Sequence, residues 1–275
     1  MRGVVSQGLL LETNVLPDGV PLEEGYELDK ILNIQKWELP VKEAKGTTYV
    51  NPNGSFPSYI PKTDQERLQN IPERVLAQMF DGKNFFEVTE KLDGTSMTIF
   101  MDSESQLHVC SRNYDLKLDD DTFFKSVYGM WLMDNDYISG LLKALKLKNM
   151  AFQGELCGPG IQKNKYNLDE MKWFIFDVYN IKDSRYLSYE ERMEAFTKIK
   201  NYLMEYKIEN TFEHVPFVSQ VNTRFPSMKQ WLDFAEGPAI LNMKIEREGV
   251  VYKCTTNPSV SFKVINNKFL LNNGE

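Results

Sequence analysis

The chain has 275 residues, 42% of them hydrophobic and 26% charged, with a formal net charge of −7. That length suffices for one large domain or two small ones, and the charge excludes a molecule-wide basic field for nucleic acid. No run is apolar enough to cross a bilayer and Met1 to Ser6 carries no secretory signal, so the expected localisation is cytoplasmic (host-cell cytoplasm for a viral chain).

Arg2 to Leu11, RGVVSQGLLL, reads as one strand, followed by a loop rich in Pro and Gly. Residues 40–62, with Pro40, Gly46, Pro52, Gly54, Pro57 and Pro61, read as linker or surface loop. Thr63, with Glu66 three residues on, has the form of a capping box opening a helix that Pro72 splits in two. Runs rich in Val, Ile, Phe and Thr then predict strands over 86–91, 96–101, 107–112, 151–157, 173–179, 250–254 and 261–264. Helices are predicted over 121–146, over 188–206 (Ser188 and Glu191 as its box; Met193, Phe196, Ile199, Leu203 and Tyr206 on one face) and over 227–236. Strands come in groups, which favours an α+β fold with antiparallel sheets over a doubly wound one.

Cys110, Cys157 and Cys254 are widely spaced, each in an apolar run, and read as reduced core residues. With only His108 and His214 present, a zinc site or a His-based triad is disfavoured. A metal would need oxygen ligands, which suits Mg²⁺ or Mn²⁺.

The informative segment is Glu90-Lys91-Leu92-Asp93-Gly94, a lysine at the end of an apolar strand before an Asp-Gly turn. Asp-Gly is a common hairpin turn, so this segment alone is weak. After it come Ser111-Arg112-Asn113, Gly154-Glu155, Phe174-Ile175-Phe176-Asp177, Glu248-Gly249-Val250-Val251-Tyr252-Lys253 and Ser261-Phe262-Lys263-Val264. In this order, over about residues 90–270, the chain resembles the covalent nucleotidyltransferase superfamily of polynucleotide ligases and capping enzymes. Phe56 to Arg67 and Gly154 to Tyr166 narrow the resemblance to ATP-dependent RNA ligases that carry an N-terminal OB domain. The resemblance makes residues 1–40 a remnant strand and linker of that OB domain, its barrel largely lacking, and 41–275 the nucleotidyltransferase domain, with mainly antiparallel sheets flanked by helices.

It also implies the site. Lys91 would carry AMP from ATP as a phosphoramidate, which divides one hard displacement into easier steps. A free lysine has a pKa of about 10.4, and lowering it by about two corresponds to roughly 2.7 kcal/mol, which nearby cations can supply. Asp93, Glu155 and Glu248 would hold a hydrated Mg²⁺ or Mn²⁺. Arg112 would bind ribose or phosphate, Phe176 would stack on adenine beside Asp177, and Glu90 would reach the adenine edge. Lys253 and Lys263 would contact the α-phosphate. Each has a plainer alternative: a core aromatic for Phe176, a surface ion pair for Arg112, a strand-end turn for Asp177. Asn164, Lys165 and Tyr166 fit contact with nucleic acid or nucleotide and fit a purely structural loop equally. Ile265 departs from the family pattern, which often has a second lysine there; Lys268 is the nearest substitute. The implied reaction is sealing of a 5′-phosphate RNA end to a 3′-hydroxyl, at nicks in duplexes, by a monomer. The alternatives are an mRNA capping guanylyltransferase, a DNA ligase, and a non-catalytic module that binds nucleic-acid ends.

Overall fold

The computed structural model describes residues 12–17, 19–21, 28, 31–32 and 49–273. The chain divides into two compact units, residues 1–42 and 43–275. In the first, the described residues include a short 3-10 turn at Thr13–Val15. The strand expected over Arg2 to Leu11 lies outside the described residues.

The second unit is built on two sheets. In chain order its strands are β1 (Pro52–Ser55), β2 (Glu66–Arg67), β3 (Phe86–Lys91), β4 (Thr95–Met101), β5 (Leu107–Cys110), β6 (Tyr114–Leu116), β7 (Met150–Cys157), β8 (Lys172–Asn180), β9 (Arg185–Tyr186), β10 (Phe212–His214), β11 (Phe217–Val221), β12 (Gly249–Cys254) and β13 (Ser261–Ile265). Its helices are α1 (Glu73–Met79), α2 (Asp121–Phe124), α3 (Val127–Asp134), α4 (Ile138–Ala144), α5 (Tyr189–Tyr206), α6 (Met228–Ala235) and α7 (Asn267–Asn273). One sheet runs β1-β6-β5-β4-β7-β8-β10 with β9 paired to β8; the other runs β11-β3-β12-β13-β2. Only β8–β10 and β13–β2 are parallel pairs among the described residues. The fold is therefore α+β with mostly antiparallel sheets, as expected.

Period-two alternation decides which side chains reach the space between the sheets. In the smaller sheet Phe86, Val88, Val250, Tyr252, Phe262 and Val264 turn into a core shared with Leu76 of α1 and Trp231 of α6. Their neighbours in sequence turn the other way. In the larger sheet Met97, Ile99, Phe152, Leu156, Trp173 and Ile175 face a core closed by α2 to α5. All three cysteines are free and buried. No helix among the described residues is long and apolar enough to cross a membrane.

Five local expectations change: within residues 40–62, read as loop, Pro52–Ser55 form β1 against β6, and four others follow. The Thr63–Glu66 capping box is not formed: Glu66 and Arg67 pair in parallel with Phe262 and Lys263, and the helix begins only at Glu73, behind Pro72 at its N-cap. A long-range strand partner outweighs a local cap, and proline, lacking an N–H, suits a helix start. Asp93-Gly94 is not a hairpin turn, because β3 and β4 belong to different sheets. The segment is a crossing, and Gly94 is needed because a Cβ there would lie 2.4 Å from the Leu156 carbonyl oxygen. The region 121–146 forms three short helices rather than one. On α5, capped by Ser188 and Glu191 as expected, the buried face is Arg192, Ala195, Ile199 and Leu203, while Tyr206 is exposed.

Candidate active site

A cleft of about 390 Å³ opens between the two sheets. The cross-strand rows of the smaller sheet form one wall: Lys91 opposite Gly249 and Ile265, Thr89 opposite Val251 and Lys263, Glu87 opposite Lys253. Gly249 cannot be replaced lightly, since a Cβ would lie 2.2 Å from the Val264 carbonyl oxygen. It also leaves the ground beside Lys91 clear of side chains. The opposite wall comes from Ser96, Glu155 and Phe176 of the larger sheet, and Arg112 stands at the turn between β5 and β6.

Phe176 and Asp177 reach this wall together through a bulge. Gln153 pairs with Asp177 and the next residue, Gly154, pairs with Ile175, so Phe176 is an extra residue on β8. A regular strand would send Asp177 into the core beyond the sheet; a bulge re-aims it. Ile175 and Val178 accordingly lie in that core, while Phe176 lines the cleft and Asp177 meets Lys253 at 2.7 Å.

Two clusters of charge result. In the first, Lys91 Nζ is 2.5 Å from Glu248 Oε1, with side-chain exposures of 26% and 15%. Glu155 also stands here, its Oε1 accepting the Gly94 N–H at 3.2 Å. Burial pushes the Glu155 carboxyl up to about 7, the Lys91 cation opposing and the Glu248 charge reinforcing this. Burial and the Lys91 charge lower Lys263. In the second cluster, Lys253 is buried against Asp177 and the Phe176 carbonyl oxygen. Arg192 of α5, completely buried, pairs with Glu87 and lies 3.7 Å from Asp177. Burial lowers Lys253, with Asp177 opposing. Above these, Glu90 accepts the Ile240 N–H at 2.7 Å; burial raises it to about 7, against that hydrogen bond and the Arg247 charge.

Of the residues singled out in the sequence, Glu90, Lys91, Arg112, Glu155, Phe176, Glu248, Lys253 and Lys263 all line the cleft. Asp93 is not among the lining residues; its carboxylate pairs with Lys165. Arg112 is engaged by Asp64, Nη2 lying 2.6 Å from Oδ2, at an exposed mouth. Thr63, Asp64, Gln65 and Arg67 line the cleft too; sequence reading missed them because that segment resembled a helix start. Glu87 and Arg192 were missed as well, and the one available signal was a polar residue on the apolar stripe of α5.

The donor set here is carboxylate oxygen, which suits a hard divalent cation. No group of three or more His, Cys, Asp or Glu among the described residues is arranged to hold a metal directly. Glu155, whose cost of ionising the Glu248 charge adds to, and Glu248 fit instead an ion that keeps most of its water.

A comparison with protein families matches residues 84–265, well over half of the chain, to RNA ligase. Among solved structures, a Naegleria gruberi RNA ligase mutant with AMP and Mn is 32% identical with a TM-score of 0.69, covering 91% of this chain and 68% of that one. Another mutant of that ligase, with ATP and Mn, is 33% identical with a TM-score of 0.69 over the same shares of the two chains. The same ligase with PPi is 33% identical with a TM-score of 0.69, covering 100% of this chain and 75% of that one. A search of curated proteins gave no match. With the family match spanning both walls of the cleft, the chain belongs to the RNA ligase family.

Proposed function

We propose that this chain is an ATP-dependent RNA ligase working through a lysyl-AMP intermediate on Lys91. The observation that carries the reading is the Lys91 amine, at the junction of the two sheets, 2.5 Å from Glu248 and in one cleft with Glu155, Lys263 and Arg112. The solved relatives named with ATP, AMP, PPi and Mn support ATP as the nucleotide and a divalent cofactor.

In the first step the Lys91 amine, its extra proton passed to solvent, bonds to the α-phosphorus of ATP, and the bond to pyrophosphate breaks. A 5′-phosphate oxygen of RNA then bonds to that phosphorus, and the N–P bond breaks. A 3′-hydroxyl finally attacks the activated 5′-phosphorus, loses its proton and releases AMP. Phosphoryl transfer of this kind needs position and charge neutralisation above all. Glu155 and Glu248 would hold a hydrated Mg²⁺ or Mn²⁺, with Asp93, paired to Lys165, reaching it only through its waters. Such an ion supplies charge neutralisation at the α-phosphate. Lys263 and Arg112 add positive charge along the cleft, and the Phe176 ring offers a face to the base. Lys253, buried on Asp177, shapes the α-phosphate wall from below. The substrate proposed is a nick in a duplex with RNA at the 3′-hydroxyl, and the protein is proposed to act as a cytoplasmic monomer.

Incubation with α-labelled ATP or GTP and Mn²⁺, followed by a denaturing gel, tests this. We expect a labelled protein band with ATP only, and none from Lys91→Ala. Label from GTP alone would identify a capping enzyme; label from neither would leave an end-binding module.

A further inference from the structure

The crossing from β3 to β4 poses an accounting problem. The β3 ladder ends at the Lys91–Gly249 pair and the β4 ladder begins at Thr95–Leu156. Leu92, Asp93 and Gly94 therefore have no strand partner, and buried backbone groups need one. One loop, residues 158–168, answers for much of this. Tyr166 Oη accepts the Asp93 N–H at 2.7 Å, Lys165 pairs with the Asp93 carboxylate, and Gln162 Nε2 donates to the Gly94 carbonyl oxygen at 3.5 Å.

The loop holds a backbone that its sequence disfavours. Gln162, Lys163 and Asn164 are left-handed in succession, with φ of 43°, 57° and 48°. Non-glycine residues avoid that region, and consecutive ones are kept only where surrounding structure dictates them. Here Asn164 does so, donating to the Leu168 carbonyl oxygen at 2.9 Å and accepting the Leu168 N–H at 3.1 Å. Asn242 ties the loop from outside, donating to the Lys165 carbonyl oxygen at 3.0 Å. The Tyr166 ring is buried in a cluster with Leu92, Cys157 and Phe174, so its hydroxyl has little freedom to leave Asp93.

We infer that this loop is a clamp for the nucleophile segment, and that Tyr166 is a positioning residue which sets the Lys91 amine through the Asp93 backbone. The inference rests on the adenylylation reading above. Tyr166 touches no reacting atom in this role; it fixes the peptide two residues beyond the one that does.

Tyr166→Phe keeps the ring and removes the acceptor, and the full chain with this change is the test. The rate of lysyl-AMP formation at saturating ATP should fall roughly tenfold, the scale of a lost neutral hydrogen bond, while the ATP concentration giving half that rate shifts less than about twofold. Amide hydrogen exchange at Asp93 should speed up at least about tenfold, with β7 and β8 amides unchanged. Lys165→Arg should keep the rate that Lys165→Met loses. Unchanged exchange at Asp93 overturns the clamp; faster exchange with an unchanged rate overturns the positioning role. A wild-type chain that takes no label overturns the adenylylation reading alone, since exchange then still decides the clamp.

Discussion

The two charge clusters of the cleft use the same residue types to opposite ends. Around Lys91, Glu155 and Glu248 the groups keep some contact with solvent and are poorly balanced, the Glu248 charge adding to the cost of ionising Glu155. Around Arg192, two cations meet two carboxylates, Glu87 and Asp177, with almost no exposure. An unbalanced, half-open cluster can trade its partners for phosphate and metal. A closed and balanced one cannot, because removing any member strands a charge in a low-dielectric interior. Burial and charge count, more than residue identity, separate the cluster free to exchange partners from the one that braces. Arg192 and Lys253, one from α5 and one from β12, meet at Asp177 of β8 and so tie the two walls together.

The sharpest way to break this contrast is Arg192→Met. It leaves Glu87 and Asp177 with Lys253 as their one remaining partner of the four, and we expect a loss of about 3–5 kcal/mol in urea unfolding. A loss below about 1 kcal/mol would mean that the cluster is not closed. Glu90 lies between the two cases, buried at 1% exposure yet bordering the cleft. Its carboxyl is raised from 4.5 to about 7. Between those values the folded chain holds a proton that the unfolded chain has released, so Glu90 costs stability progressively as pH rises through that window. Glu90→Gln should therefore match the wild type near pH 4.5 and exceed it by at most about 3 kcal/mol at pH 8. His214, lowered to about 4 by burial, acts in the opposite sense but equally in both proteins. A flat difference curve would show that Glu90 ionises freely. The smallest effect belongs to the mouth: Asp64→Asn, which releases an exposed pair with Arg112, should change stability by less than about 1 kcal/mol, and less still at high salt.

Most of the site was legible because strand alternation and short motifs carry it. Lys91, Lys253 and Lys263 sit where their neighbours' hydrophobicity puts them. What escaped depends on partners far away in sequence. Thr63 to Arg67 reads locally as a helix start, yet Phe262 and Lys263, 196 positions on, claim its last two residues, Glu66 and Arg67, as a strand. Asp93-Gly94 reads as a hairpin because nothing nearby reveals that two sheets meet there. On α5 the apolar count favoured Met193 and Tyr206, whereas the helix turns Arg192 inward toward Glu87, a partner 105 positions away. The Asp93 carboxylate, expected to face the metal, is taken by Lys165, 72 positions on.

The extra residue in β8 has a consequence for how the protein can change. The ring that lines the cleft and the carboxylate that pairs with Lys253 are chain neighbours, a spacing that strict in-and-out phasing forbids. Their shared orientation depends on one added residue opposite Gly154, where a methyl group would strike the Phe174 carbonyl oxygen at 2.5 Å. Point changes at Phe176 or Asp177 can be explored one at a time. Deleting either one would instead restore regular alternation, with Ile175 and Val178 still inward, and leave this wall the ring or the carboxylate but not both.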